Sequence, residues 1–304
     1  MEYRFAVSED LSGLRIDKCI SEYFEEFSRS YVQKLIDENH VFCNDKLCKS
    51  KDKVQVNDVI FLEVPEPIVP KIIPEDIPLD ILFEDDDLII INKPKGMVVH
   101  PAPGHYSNTL VNALMYHCKD NLSGINGVMR PGIVHRIDMN TTGSVIACKN
   151  DFAHNDIALQ LKEHSINRHY LAIVHGNFDN ESGRVDAPIG RADNDRKKMC
   201  INYKNGKNAV TNYTVLNQYK GYSLVDCKLE TGRTHQIRVH MASINHPVLG
   251  DDVYCKLKSP FKLDGQCLHA YILGFKHPRT GEYIEIKAPI PGYFEHLLSC
   301  LQTF

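Results

Sequence analysis

The chain has 304 residues, enough for two domains, and an ordinary composition without a low-complexity tract. Its formal net charge of -4 excludes a protein that coats nucleic acid indiscriminately, yet leaves room for a local basic surface. Its ten cysteines contain no Cys-x-x-Cys pair, no apolar run reaches membrane-helix length and the first residues lack a signal pattern, so a cytoplasmic protein without zinc-thiolate chemistry or a membrane segment is expected.

In chain order, residues 14–24 carry apolar side chains at 16, 19, 20, 23 and 24, which is helical spacing. Ser28 is placed to cap a second helix over 30–38. A strand and turn follow at 41–46, then a lysine-rich stretch, then a strand at 59–62. Prolines at 65, 67, 70, 74 and 78 forbid a continuous helix or central strand, so residues 65–78 are expected to link a small domain, 1–64, to a large one, 79–304. In the large domain strands are expected at 88–92, 144–148, 170–175, 210–215 and 222–229, with helices at 109–117, 153–162 and 234–244. This irregular alternation points to an α+β fold rather than a doubly wound parallel sheet.

The polar residues His135, Arg136 and Asp138 stand between the apolar pair Ile133-Val134 and an apolar strand. In an extended segment Arg136 and Asp138 face the same side, which puts a cation and a carboxylate together at the edge of a core. From the residues alone, a structural ion pair beside the Thr141-Thr142-Gly143 turn and a catalytic site carry equal weight. His235 and His240 are five apart rather than four, so they do not form a zinc pair on one helical face.

The run from Pro131 to Gly143 resembles the His-Arg-Leu-Asp-x-x-Thr-Ser-Gly signature of the RluA/RluD family of pseudouridine synthases, with Ile137 for Leu and Thr142 for Ser. Three further stretches agree in the family's order. Asn92-Lys93-Pro94-Lys95-Gly96 with His100-Pro101 is similar to its Asn-Lys-Pro-x-Gly-x-x-x-His-Pro segment, and Arg168-His169-Tyr170 to its tyrosine-bearing strand. Leu229 to His240 matches its Leu-x-Thr-Gly-Arg-x-His-Gln-Ile-Arg-x-His box without a change. The resemblance implies a pseudouridine synthase fold, with a central mixed, mainly antiparallel sheet flanked by helices and loops. It implies Asp138 as the catalytic carboxylate, Tyr170 stacking on the target base and Arg238 paired with Asp138. Arg136 is expected to contact the distorted RNA backbone or fill the space left by the flipped base.

The N-terminal residues Arg15-Ile16-Asp17-Lys18, Ser28-Arg29-Ser30 and Val41 to Lys46 resemble a small α/β RNA-binding module of the S-four type, although residues 1–65 hold more carboxylates than cations. Arg29, Lys34, Lys49, Lys51 and Lys53 are its candidate RNA contacts. A second basic run, 196–207, has five cations and no carboxylate, and Arg196, Lys197 and Lys198 are candidates for gripping phosphates from a loop. Isomerising a uridine oxidises nothing and donates no group, so no cofactor or metal is expected. The expected partner is RNA, ribosomal RNA or its precursor particles above all, and the expected state a monomer. A non-catalytic assembly factor of the same fold is the alternative. A glycoside hydrolase ranks far behind, because the motifs offer no second carboxylate.

Overall fold

The structure, a computed structural model, describes residues 1–65, 72–102, 104–119, 121–127, 130–192 and 195–303, with the backbone alone at 196 and 197. The chain forms two compact units, Met1–Val69 and Pro70–Phe304.

In the first unit the elements are β1 (Glu2–Ala6), α1 (Ile16–Tyr23), α2 (Arg29–Asp37), β2 (Val41–Cys43), β3 (Lys46–Leu47) and β4 (Val59–Glu63). The sheet order is β1-β4-β2-β3. Ser28 caps α2 as expected, its hydroxyl accepting from the Tyr31 amide. Cys19, Ile20, Val32, Leu35 and Ile36 from the two helices pack on Val41, Ile60 and Leu62 of the sheet.

Under that core lies a buried charge, the fully enclosed carboxylate of Asp17. It accepts from Arg15 at 3.1 and 3.0 Å, from Arg29 at 3.1 and 3.4 Å and from Gln33 at 2.6 Å. Burial by itself would raise this carboxyl, but the bonds from Arg15, Gln33 and Arg29 outweigh it and hold the group down to about 2.

In the second unit come β5 (Ile81–Glu84), β6 (Leu88–Lys93), α3 (Leu110–Cys118), β7 (Thr142–Cys148), α4 (Asp151–Lys162), β8 (Asn167–His175), β9 (Ser182–Asp186), β10 (Ile189–Ala192), β11 (Asp195–Ile201), β12 (Val210–Tyr219), β13 (Tyr222–Leu229), α5 (Gln236–Ser243), β14 (Leu268–Lys276), β15 (Tyr283–Lys287) and α6 (Gly292–Thr303). Among the described residues one large sheet runs β5-β6-β7-β14-β8-β13-β12-β9, with β15 on β14. The β7–β14 pair is parallel and the other pairs are antiparallel, so the sheet is mixed and mainly antiparallel. Every residue of β7 is buried, which its apolar sequence requires of a strand covered on both faces. On one face α3 and α5 add Leu110, Val111, Leu114, Ile237 and Met241. On the other, α4 adds Ala153 and Ile157, and α6 adds Phe294, Leu297 and Leu301.

Gly143 enters β7 at φ 107°, and a Cβ there would collide with the Ala270 carbonyl of β14. Only glycine meets both demands, so the parallel contact that joins the two halves of the sheet rests on it.

Two expectations need correction. Residues 72–75, assigned to the linker, belong to the large unit: Ile72 is buried in its core and the Ile73 carbonyl accepts from Asn112. The Glu75 amide donates to Asn112 O, and the Glu75 carboxylate accepts the Asn108 amide. The prolines forbid regular structure, but a chain without regular structure still packs where its isoleucines find a core. The basic run expected as a loop begins in a strand, β11, paired antiparallel with β10. Lys198 is exposed on it, and the side chains of Arg196 and Lys197 lie outside the described residues.

Because the Asp17 carboxyl sits below its ordinary value of 3.8 when folded, its stabilising contribution is full above about pH 4 and is lost as pH falls toward 2. That contribution is on the order of 2 kcal/mol. In denaturation series from pH 5 to 2, Asp17→Asn should unfold the small unit at lower denaturant than wild type at pH 5, with the gap closing toward pH 2.

Candidate active site

The segment between Ile133 and Thr141 has no regular structure, and four separate ties hold it in place. The His135 Nε2 accepts the Ile146 amide of β7 at 3.1 Å, which fixes the neutral imidazole, and burial with the Arg168 charge pulls that ring down to about 3. The Asp138 carbonyl accepts the Thr141 amide, and the Met139 carbonyl accepts the Gly96 amide. Lys93, completely buried at the end of β6, donates to the carbonyls of Pro94, Met97 and Met139 at 2.8, 2.8 and 2.9 Å. The loop after β6 is thereby stapled to the loop that carries Asp138.

Asp138 does not pair with Arg136. Its Oδ2 accepts from Arg238 Nη1 at 2.9 Å. The other edge of that guanidinium, Nε and Nη2, donates to Asp251 at 2.7 and 2.9 Å. Asp251 is fully buried and also accepts the Val253 and Tyr254 amides. Burial disfavours a charged Arg238, but the bonds and charges of Asp251 and Asp138 outweigh it and hold the guanidinium above its ordinary value. Tyr254 lies under it, with the guanidinium carbon 5.1 Å from the ring centre.

His235, which begins α5 in a left-handed conformation (φ 56°), brings its Nε2 to 3.8 Å from Asp138 Oδ1. Its Nδ1 is 2.7 Å from the Tyr254 hydroxyl, which accepts the Met199 amide of β11. In the tautomer where the hydroxyl donates to Nδ1, the His235 proton sits on Nε2, facing Asp138. Burial lowers the pKa of this imidazole, against the pull of Asp138, and keeps the ring neutral near pH 7.

These groups open on a cavity of about 610 Å³. Asp138, Tyr170, Arg136 and Arg238, gathered from three distant stretches of sequence, all line it. Tyr170 projects from β8 only 7% exposed, and burial raises its phenol, so the ring is neutral. Arg136 is exposed at the wall. Asp138 is the single carboxylate among the described lining residues, facing Arg130, Arg136, Lys162, Arg168, Arg233 and Arg238. His100 also lines the wall; it is buried, and burial with the charges of Arg136 and Arg130 takes it down to about 4. A cavity with six cations and one acid is suited to a polyanion whose chemistry needs one carboxylate.

The sequence matches the model of the RNA pseudouridylate synthase family over residues 87–243, and that of the S4 domain over 14–60. It is 48% identical over 295 residues to the RNA pseudouridine synthase YlyB of Bacillus subtilis, covering 97% of this chain and 96% of that protein.

The chain belongs to the RNA pseudouridylate synthase family.

Another relative, ribosomal large subunit pseudouridine synthase D of Zymomonas mobilis, is 44% identical over 97% of this chain and 96% of its own length. Among solved structures, human RNA pseudouridylate synthase domain containing 4 is 26% identical, with a TM-score of 0.57 over 73% of this chain and 92% of that one. As an RNA pseudouridylate synthase the chain is an isomerase with an S4-type RNA-binding unit.

Of the candidate RNA contacts in that unit, Lys49, Lys51 and Lys53 are exposed, Lys34 stands 3.7 Å from Glu38, and Arg29 is held by Asp17 with half its side chain exposed. Arg15, unmarked in the sequence reading, is held the same way.

Sequence reasoning also missed Asp251, Lys93 and the His235–Tyr254 pair of the synthase unit. Lys93 and His235 sit inside recognised motifs, whereas Asp251 and Tyr254 sit in no motif and show themselves only in three dimensions. Asp251 is the second carboxylate that the glycosidase reading lacked, yet it does not line the cavity and its oxygens are already engaged. His240 bonds Thr211 and Ala187 O, away from His235.

Asp251→Asn should leave a buried cation under-compensated, at a cost of about 3–5 kcal/mol in chemical denaturation. By releasing one edge of Arg238 it should also lower single-turnover pseudouridine formation about 100-fold while RNA affinity stays near wild type.

Proposed function

We propose that this synthase isomerises selected uridines of large-subunit ribosomal RNA, with Asp138 as the catalytic carboxylate. The observation that carries the assignment is the position of Asp138, alone of its charge among the described residues lining the cavity and hydrogen-bonded to a buried arginine whose other edge is fixed. The reaction breaks the bond from uracil N1 to ribose C1′, turns the base and rejoins it through C5. A carboxylate is needed at the sugar, as a base toward C2′ or a nucleophile toward C1′. Arg238 holds that carboxylate aimed into the cavity from a half-buried place.

The uridine has to leave its stack to reach such a depth. Tyr170, neutral and recessed in the wall, offers the face on which the uracil rests, a contact worth roughly 1–3 kcal/mol. Arg136, exposed and free of Asp138, reaches the distorted backbone or the space the base has left. The S4-type unit supplies affinity through Arg29, Lys34, Lys49, Lys51 and Lys53, and Lys198 with Arg196 and Lys197 adds phosphate contacts on the synthase unit. Relatives named for the large ribosomal subunit support that RNA as the target.

Asp138→Asn is isosteric and should abolish tritium release from uridine-labelled RNA while leaving RNA affinity nearly intact. In cells lacking the gene, wild type but not Asp138→Asn should restore pseudouridine at discrete large-subunit positions. Turnover above about a tenth of wild type would contradict the role assigned to Asp138. Arg136→Ala should weaken RNA binding or slow turnover by about tenfold or more, and unchanged values of both would remove Arg136 from the site.

A further inference from the structure

One deeply buried cation in the cavity has no counter-charge among the described residues. Arg168 leaves β8 two residues before Tyr170 and on the same face, and it is 6% exposed. Arg238, equally buried, has two carboxylates on its edges. Among the described residues none lies within ion-pair distance of Arg168, and its Nε has no hydrogen-bond partner. Withdrawing a guanidinium from water without such compensation is costly, and burial pulls Arg168 below its ordinary value. Space has nonetheless been kept for it: a Cβ on Gly232, which lines the same cavity, would lie 2.6 Å from Arg168 Nη1.

Two negative charges arrive with the RNA, and depth distinguishes their sites. Phosphates remain on the outside of a flipped nucleotide, where Arg130, Arg136 and Lys162 are exposed around the cavity. Arg168 is as buried as Tyr170, the residue proposed to hold the base, and lines the same cavity. We propose that Arg168 takes up the negative charge that develops on the uracil as it leaves the ribose, donating hydrogen bonds to the ring's carbonyl oxygens while Tyr170 holds its face.

The inference rests on Asp138 acting at the sugar, and it holds for either route. If the carboxylate attacks C1′, a C–O bond forms as the N1–C1′ bond breaks. If it takes the C2′ proton, a C1′–C2′ double bond forms as the same bond breaks. Both leave the N1–C1′ electron pair on the uracil, delocalised over O2 and O4. When C5 then bonds to C1′, the C1′–O bond breaks and frees the carboxylate, or on the other route the C1′–C2′ double bond is consumed as Asp138 returns its proton to C2′. The ring gives up its C5 proton and N1 takes one up, so the anion exists only between cleavage and rejoining. Hydrogen bonds from a guanidinium to that anion are stronger than to the neutral base, so they act on the rate rather than on binding.

The test is a leaving-group comparison under single turnover with saturating enzyme, on one RNA carrying uridine or 5-fluorouridine at the target. Fluorine stabilises the departing anion, so an enzyme deprived of Arg168 should depend on it more. Arg168→Gln should slow loss of the uridine by about 100-fold or more with RNA affinity unchanged, and that deficit should shrink several-fold on 5-fluorouridine. Arg168→Lys, which keeps the charge, should fall between and show the same contraction, so it serves if the glutamine variant does not fold. Equal deficits on both bases, or weakened affinity with an unchanged rate, would overturn the proposal. Asp138→Asn measured in parallel keeps the premise separate: retained turnover there would remove the role of Asp138, whatever Arg168 does.

Discussion

Everything in the cavity is arranged around the guanidinium of Arg238. One planar group is shared between a carboxylate that faces the cavity and one that never leaves the interior. A buried arginine with a single partner would remain mobile about that contact. With Asp251 holding two of its nitrogens, only one direction is left for Nη1, and Asp138 lies along it. Asp251 is in turn locked by the amides of Val253 and Tyr254, so the aim of Asp138 derives from backbone geometry more than a hundred residues away in sequence. Interactions of this kind need no rearrangement when charge develops, which is where electrostatic catalysis gains most.

Much of the fold was legible because its signals are local. Apolar periodicity located α1 and α2, the Ser28 cap marks the start of α2, and short strand-like runs located β6, β7, β8, β12 and β13. Of the strands that escaped, β14 finds its places beside β7 and β8, remote in sequence, and β15 follows by pairing on β14. Residues 72–75 show the same limit: prolines reveal what a segment cannot be, not what it packs against. For the site, Asp138, Tyr170 and Arg238 were legible through motifs, and the structure gathers them at one cavity. Residues alone could not say that Arg136 would turn away from Asp138, since a two-residue period describes strands and this segment is not one. Asp251 was invisible because an Asp in a loop carries no sign of what it faces.

The two units use charge in contrasting ways. In the small unit Arg15 and Arg29 share the buried Asp17, so their outer faces remain presented with little side-chain freedom left to lose when an anion arrives. In the synthase unit six cations line one cavity around Asp138, which is already engaged, and that leaves a strong positive field for the incoming strand. A chain of net negative charge thus binds a polyanion by placement rather than by excess.

The Lys93 staple has a temporal consequence. Because three carbonyls from two loops converge on one ammonium, the Asp138 loop is already in its working shape before any RNA arrives. Little ordering is left for the protein to do at the moment of encounter, so the conformational work falls on the nucleic acid, which must unstack and bend to meet a fixed mould. A uridine is then chosen by how readily its surroundings give way as much as by what they spell, and a pliant stretch of RNA becomes part of the recognition signal.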